Sequence, residues 1–141
     1  VRDLGSLTVY LDSNVLFSAS YITSSRFQNF WRLAGVAPVT SPYAVTEVRR
    51  HIKLSAQSVR FDKLIAATKM VSDSDSGFVP ESIQLAEKDR PILAAAIAAS
   101  VDYLITGDKS HLAHLYGSRV SGVRIISPSE FLGLYEDRLH P

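Results

Sequence analysis

Leu7-Thr8-Val9-Tyr10-Leu11-Asp12-Ser13-Asn14 decides the fold. A short run rich in β-formers stops on an aspartate, and two small polar residues come after it. In an α/β domain such a strand lies in the middle of the sheet, and its C-terminal end opens on the ligand crevice. A carboxylate there faces ligand, not core. Asp12 is therefore read as one acid of a shared site.

Reading outward, Val15 to Ala19 begins a helix, and Ser24-Ser25 is expected to cap a helix carrying Phe27, Phe30, Trp31 and Leu33. Val36 to Thr40 reads as a second strand, and Pro38 makes it an edge or irregular one. Ser41-Pro42 opens a helix to about Ile52. A further helix is expected from Ala56 to Val71, and a short strand at Phe78-Val79. Asp89-Arg90-Pro91 opens an alanine-rich helix, with the strand Tyr103 to Thr106 and the turn Gly107-Asp108 after it. Lys109 to Tyr116 reads as a helix, Val123 to Ile126 as a strand, and Pro128 to Leu134 as a helix capped by Ser127. Strands alternating with helices imply an α/β fold, a mostly parallel central sheet with helices on both faces.

The chain of 141 residues predicts a single domain over 1–141, and 46% hydrophobic residues suffice for one core. No apolar run approaches the roughly 20 residues of a membrane span, and no signal peptide is expected. Cysteine is absent. That excludes disulfides, thiolate nucleophiles and Cys-ligated zinc, and it suits a reducing cytoplasm. The net charge of +1 is uninformative about nucleic acid. Locally, however, Arg49, Arg50, His51, Lys53, Arg60, Lys63 and Lys69 surround a single acid, Asp62, a basic face able to hold a polyanion.

Which of the 14 acids converge is the central question. Asp12 and Asp108 each come directly after an apolar strand, so in one parallel sheet they emerge at the same edge. Asp102 begins the Tyr103 strand and belongs at the opposite edge. Asp89 and Glu47 have ordinary readings as well: Asp89 as a helix N-cap, Glu47 as a partner of His51 one turn on. Asp108 could equally cap the helix expected after Gly107. Two carboxylates about 4 Å apart repel by roughly 4 kcal/mol at an effective dielectric near 20. Four together require a cation. Oxygen donors point to Mg²⁺ or Mn²⁺, which suits phosphodiester hydrolysis. Ser13, Asn14 and Thr106 are candidates to orient the carboxylates. The four histidines show no HExxH pattern and offer no rival zinc site.

These motifs resemble the PIN domain family. The resemblance is carried by Leu11-Asp12-Ser13-Asn14-Val15-Leu16, Glu47 in its helix, Asp89-Arg90-Pro91-Ile92-Leu93-Ala94-Ala95-Ala96 and Leu104-Ile105-Thr106-Gly107-Asp108-Lys109. Ile126-Ser127-Pro128-Ser129-Glu130-Phe131-Leu132 adds a C-terminal match. The resemblance implies a three-layer α/β/α sandwich and a metal-dependent endoribonuclease, with Asp12, Glu47, Asp89 and Asp108 holding one or two Mg²⁺ or Mn²⁺. It implies RNA as substrate, and Arg49, Lys53 and Lys109 are candidates for the RNA backbone by their location. Many single-domain relatives are toxins of toxin–antitoxin modules, so an antitoxin partner and a homodimer are implied too. Many also carry a further acid where this chain has Ser110, which leaves a smaller ligand set.

Two other classes remain open. One is a catalytically inactive PIN-like module that binds RNA or protein. The other is a phosphatase or phosphoacceptor domain, which wants an acid two residues after Asp12, where Asn14 stands.

Overall fold

Residues 7–23 and 25–139 are described by the structure, a computed structural model. Ser24 of the expected cap lies outside them. Among the described residues, six strands form one sheet in the order β3-β2-β1-β4-β6-β5. β1 (Leu7–Leu11) is central, flanked by β2 (Val36–Thr40) and β4 (Tyr103–Ile105). β3 (Lys69–Met70) and β6 (Val123–Ile126) extend the parallel sheet on either side, and β5 (Arg119–Val120) adds an antiparallel edge.

The chain winds one way from β1 through β2 to β3, then returns past β1 to β4. Right-handed crossovers put the helices of these two runs on opposite faces. The result is the mixed, mostly parallel sheet between helical layers that the sequence predicts. The reversal falls between β1 and β4, where ligand crevices open in such sheets.

α1 (Ser13–Tyr21) packs on α2 (Pro42–His51) and α3 (Ser55–Ala66). α4 (Arg90–Ala98) buries Ile92 through Ala96, five consecutive residues, because its small side chains admit close approach on all sides. α5 (Pro128–Tyr135), capped by Ser127, lays Phe131 against Phe30 and Tyr103 at ring separations of 5.7 and 5.0 Å.

Several local expectations are corrected. The segment after Ser25 is a 3₁₀ turn, Arg26–Trp31, not an α-helix. The helix expected to reach Val71 stops at Ala66, where Thr68 turns its hydroxyl back to the Leu64 carbonyl and the chain enters β3. Phe78-Val79 belongs to a 3₁₀ turn held by Asp75, not to a strand. Lys109 to Tyr116 is a string of turns with one 3₁₀ segment, Ala113–Leu115. The β5–β6 hairpin was not anticipated, although Ser121-Gly122, both at positive φ, suit a two-residue turn. Pro38 lies inside the sheet opposite Val9. β3 pairs only with Val39 and Thr40, so the sheet ends beside Pro38 and no ladder bond is lost there.

Candidate metal centre

Asp12 is the first residue past β1, and its amide still donates to Ile105 O of β4 (3.0 Å). Its side chain is buried and held from three directions. Ser13 N donates to Oδ1 (2.7 Å), Thr106 Oγ1 donates to Oδ2 (2.8 Å), and Asn14 Nδ2 lies 3.4 Å from Oδ2. The bond from Ser13 N caps α1, so Asp12 has a structural use that its place after a strand did not suggest. Burial drives its carboxyl up from 3.8 to about 6. Bonds from Thr106 and Ser13 oppose the rise, and the charges of Asp89 and Asp108 add to it.

Thr106 joins Asp12 to Asp108. Its hydroxyl donates to Asp12 and accepts from Asp108 N (3.2 Å), while its carbonyl accepts from Tyr116 OH (2.7 Å). Gly107 N donates to Asn14 Oδ1 (2.8 Å), and a Cβ on Gly107 would lie 3.2 Å from that same oxygen. This close approach is why a glycine stands between Thr106 and Asp108. Asp108 Oδ1 in turn accepts from Ser110 N and His111 N, closing the turn. Burial raises the Asp108 carboxyl, but these two backbone bonds and the His111 ring outweigh it, and the net shift is downward.

Asp89 stands where a 3₁₀ turn, Glu87–Asp89, meets α4. It occupies the N-cap position of α4, as its ordinary reading expects, but makes no side-chain cap bond. Its Oδ2 is buried and has no hydrogen-bond partner among the described residues. Burial, then the charge of Asp108, raises its carboxyl above the usual range. Tyr43 OH donates to Lys88 O (2.7 Å) and so ties α2 to the turn that carries Asp89.

Among the described residues, the side chains close enough to share a metal ion are Asp89, Asp108 and His111, whose ligand atoms lie within 4.8 Å of one another. Asp12 adjoins this group and couples to both aspartates by charge. Glu47 stands apart. It pairs with Arg50 (2.9 Å) and lies 3.8 Å from His51, realising its ordinary helical reading. It also lines a groove of about 550 Å³ with Ser13, Asn14 and Ser18. A second groove of about 460 Å³ begins at Asn14 and includes Lys109 and Tyr116. Arg49 and Lys53 line a separate depression, and Arg49 pairs with Asp62 at 3.0 Å. Reading the histidines only against one another missed His111; its spacing of three from Asp108 was the available signal. Tyr43 and Tyr116 had no signal in local sequence.

Hard oxygen donors, one orphaned buried carboxylate oxygen and two raised acids fit a divalent cation. Fold and site together define an α/β domain with a candidate carboxylate metal centre at its switch point. A family model described as PIN domain matches residues 8–110, and the chain belongs to the PIN domain family. No curated protein matches it.

Two solved structures are similar in fold. VapBC2 from Rickettsia felis, bound to a DNA fragment from its promoter, is 13% identical with a TM-score of 0.62, over 86% of this chain and 98% of that one. PAE2754 from Pyrobaculum aerophilum is 15% identical with a TM-score of 0.63, over 94% and 98%.

Proposed function

We propose that this protein is a metal-dependent endoribonuclease that hydrolyses RNA phosphodiester bonds in the cytoplasm, as the toxin of a toxin–antitoxin pair. In this reading Asp12, Asp89 and Asp108 hold Mg²⁺ or Mn²⁺, and Glu47 completes the set. The observation that carries it is Asp89 Oδ2, buried without a donor beside a second carboxylate. A buried acceptor left bare costs about 1–3 kcal/mol, and a cation removes that cost. Membership of the PIN family supports the chemistry. The likeness to VapBC2 from Rickettsia felis supports an antitoxin partner. A homodimer belongs to the same reading.

A divalent cation bound there would neutralise the carboxylates, polarise a phosphodiester and make water a better nucleophile near neutral pH. The chain's own residues do the rest. Thr106, Ser13 and Asn14 fix the Asp12 carboxylate. Lys109, exposed on the second groove, meets the RNA backbone. Glu47, on the wall of the first groove, takes the proton of the attacking water or joins the ligands. Arg49 and Lys53 line a different depression, so their role is confined to the flanks of a longer RNA.

Structured RNA should be cleaved with Mn²⁺ or Mg²⁺ and spared in EDTA, and Asp12→Asn should abolish cleavage while keeping the circular dichroism of the fold. Cleavage by Asp12→Asn at the wild-type rate would sink the site assignment. No metal binding by the wild type would favour the non-catalytic module. An adjacent reading frame for a small DNA-binding protein whose product blocks cleavage is the expected antitoxin.

A further inference from the structure

The turn Asp108-Lys109-Ser110-His111 folds back on its own first side chain. Asp108 Oδ1 accepts the amides of both Ser110 and His111, at 2.9 and 3.0 Å. That closure brings the His111 ring over the carboxylates. Its Nδ1 lies 3.3 Å from Asp108 Oδ2 and 3.9 Å from Asp89 Oδ2. The longer distance is no hydrogen bond, and among the described residues Asp89 Oδ2 has none from any other group.

We infer that His111 supplies a nitrogen ligand to the cation held by Asp89 and Asp108, so that the centre takes Mn²⁺ in preference to Mg²⁺. The inference rests on the reading of these carboxylates as a divalent-cation site. Ligands bonded at about 2.1 Å to one ion stand about 3 Å apart when adjacent and about 4.2 Å apart when opposite. Separations of 3.3 and 3.9 Å from the ring nitrogen fall inside that range, and all three ligand atoms lie within 4.8 Å of one another, so small side-chain shifts bring them into one coordination sphere. The ring faces both carboxylates, not Asp108 alone. Nor is it there for packing, since the side chain is 40% exposed. Mg²⁺ prefers oxygen and gives up its waters reluctantly, whereas Mn²⁺, also at home among carboxylates, accepts an imidazole nitrogen more readily than Mg²⁺ does. His51 provides the contrast. It lies 3.8 Å from Glu47 as an exposed i,i+4 pair on α2 and closes on no orphaned acceptor.

Mn²⁺ alone is the probe. Pulsed electron paramagnetic resonance of the Mn²⁺-loaded wild type should show ¹⁴N hyperfine coupling, lost in His111→Ala and retained in His51→Ala. By calorimetry His111→Ala should weaken Mn²⁺ roughly tenfold, with Mg²⁺ changed less than about twofold. Mn²⁺ bound by the wild type without ¹⁴N coupling, or with coupling unchanged in His111→Ala, would overturn the inference and leave the carboxylate site standing. No Mn²⁺ binding at all would remove both. The wild-type spectrum alone tests for a nitrogen ligand, so a misfolded variant does not protect the claim.

Discussion

Asp12 is a liability to the metal-free fold once it ionises. Burial, opposed by Thr106 and Ser13, sets its carboxyl at about 6 against 3.8 in the unfolded chain. The folded state thus binds the proton more tightly, so the associated stability is full below pH ~4 and is lost as pH rises through about 6. Asp89 acts in the same direction and Asp108 against it. Asp12→Asn cannot ionise, so in EDTA it should raise the melting temperature at pH 7.5 and flatten the dependence between pH 4 and 7. Thermal melts across that range check this; a wild type equally stable at pH 4 and pH 7 would contradict it. Thr106→Val removes one hydroxyl that serves both aspartates and should cost about 1–3 kcal/mol by urea denaturation. At this scale Asp12 was legible because a strand that stops on a carboxylate declares its direction. His111 was not, because its meaning comes from a turn that Asp108 closes.

Elements were legible where periodicity and caps agree. Ser41-Pro42 and Ser127-Pro128 each open a helix, and the alanine run of α4 is buried as its composition requires. They were illegible where one side chain redirects the backbone. Thr68 ends α3 early, and Asp108 accepts the Ser110 and His111 amides as a cap would, yet turns and one 3₁₀ segment follow instead of a helix. Contacts between elements were equally hidden. Tyr43 on α2 bonds the Lys88 carbonyl 45 residues on, and its phenol is raised by burial and by the Glu47 and Asp89 carboxylates. Tyr43→Phe should cost about 1 kcal/mol of stability and speed amide exchange across residues 87–90. It should also weaken Mn²⁺ binding by calorimetry, because Asp89 rides on that turn. Unchanged exchange there would show that Tyr43 does not position it.

For the whole molecule, the parallel sheet separates chemistry from support. Asp12 and Asp108 lie past the C-terminal ends of β1 and β4, while Asp102 at the opposite edge accepts from Thr8 N (2.9 Å) and Thr8 Oγ1 (3.2 Å), tying the two strands together. Asp102→Ala should therefore lower stability by about 1–2 kcal/mol in urea and leave RNA cleavage per folded molecule unchanged. Strand polarity alone made that division readable. The meeting of two segments that brings Asp89 to the Asp108–His111 turn was not, since it depends on packing between distant parts of the chain. The most direct test is a crystal soaked in Mn²⁺ and measured for anomalous scattering. One peak should lie in bonding contact with Asp12, Asp89 Oδ2 and Asp108, and should vanish in Asp89→Asn. Well-occupied Mn²⁺ found only elsewhere, with Asp89 Oδ2 still bare, would contradict the metal-centre assignment.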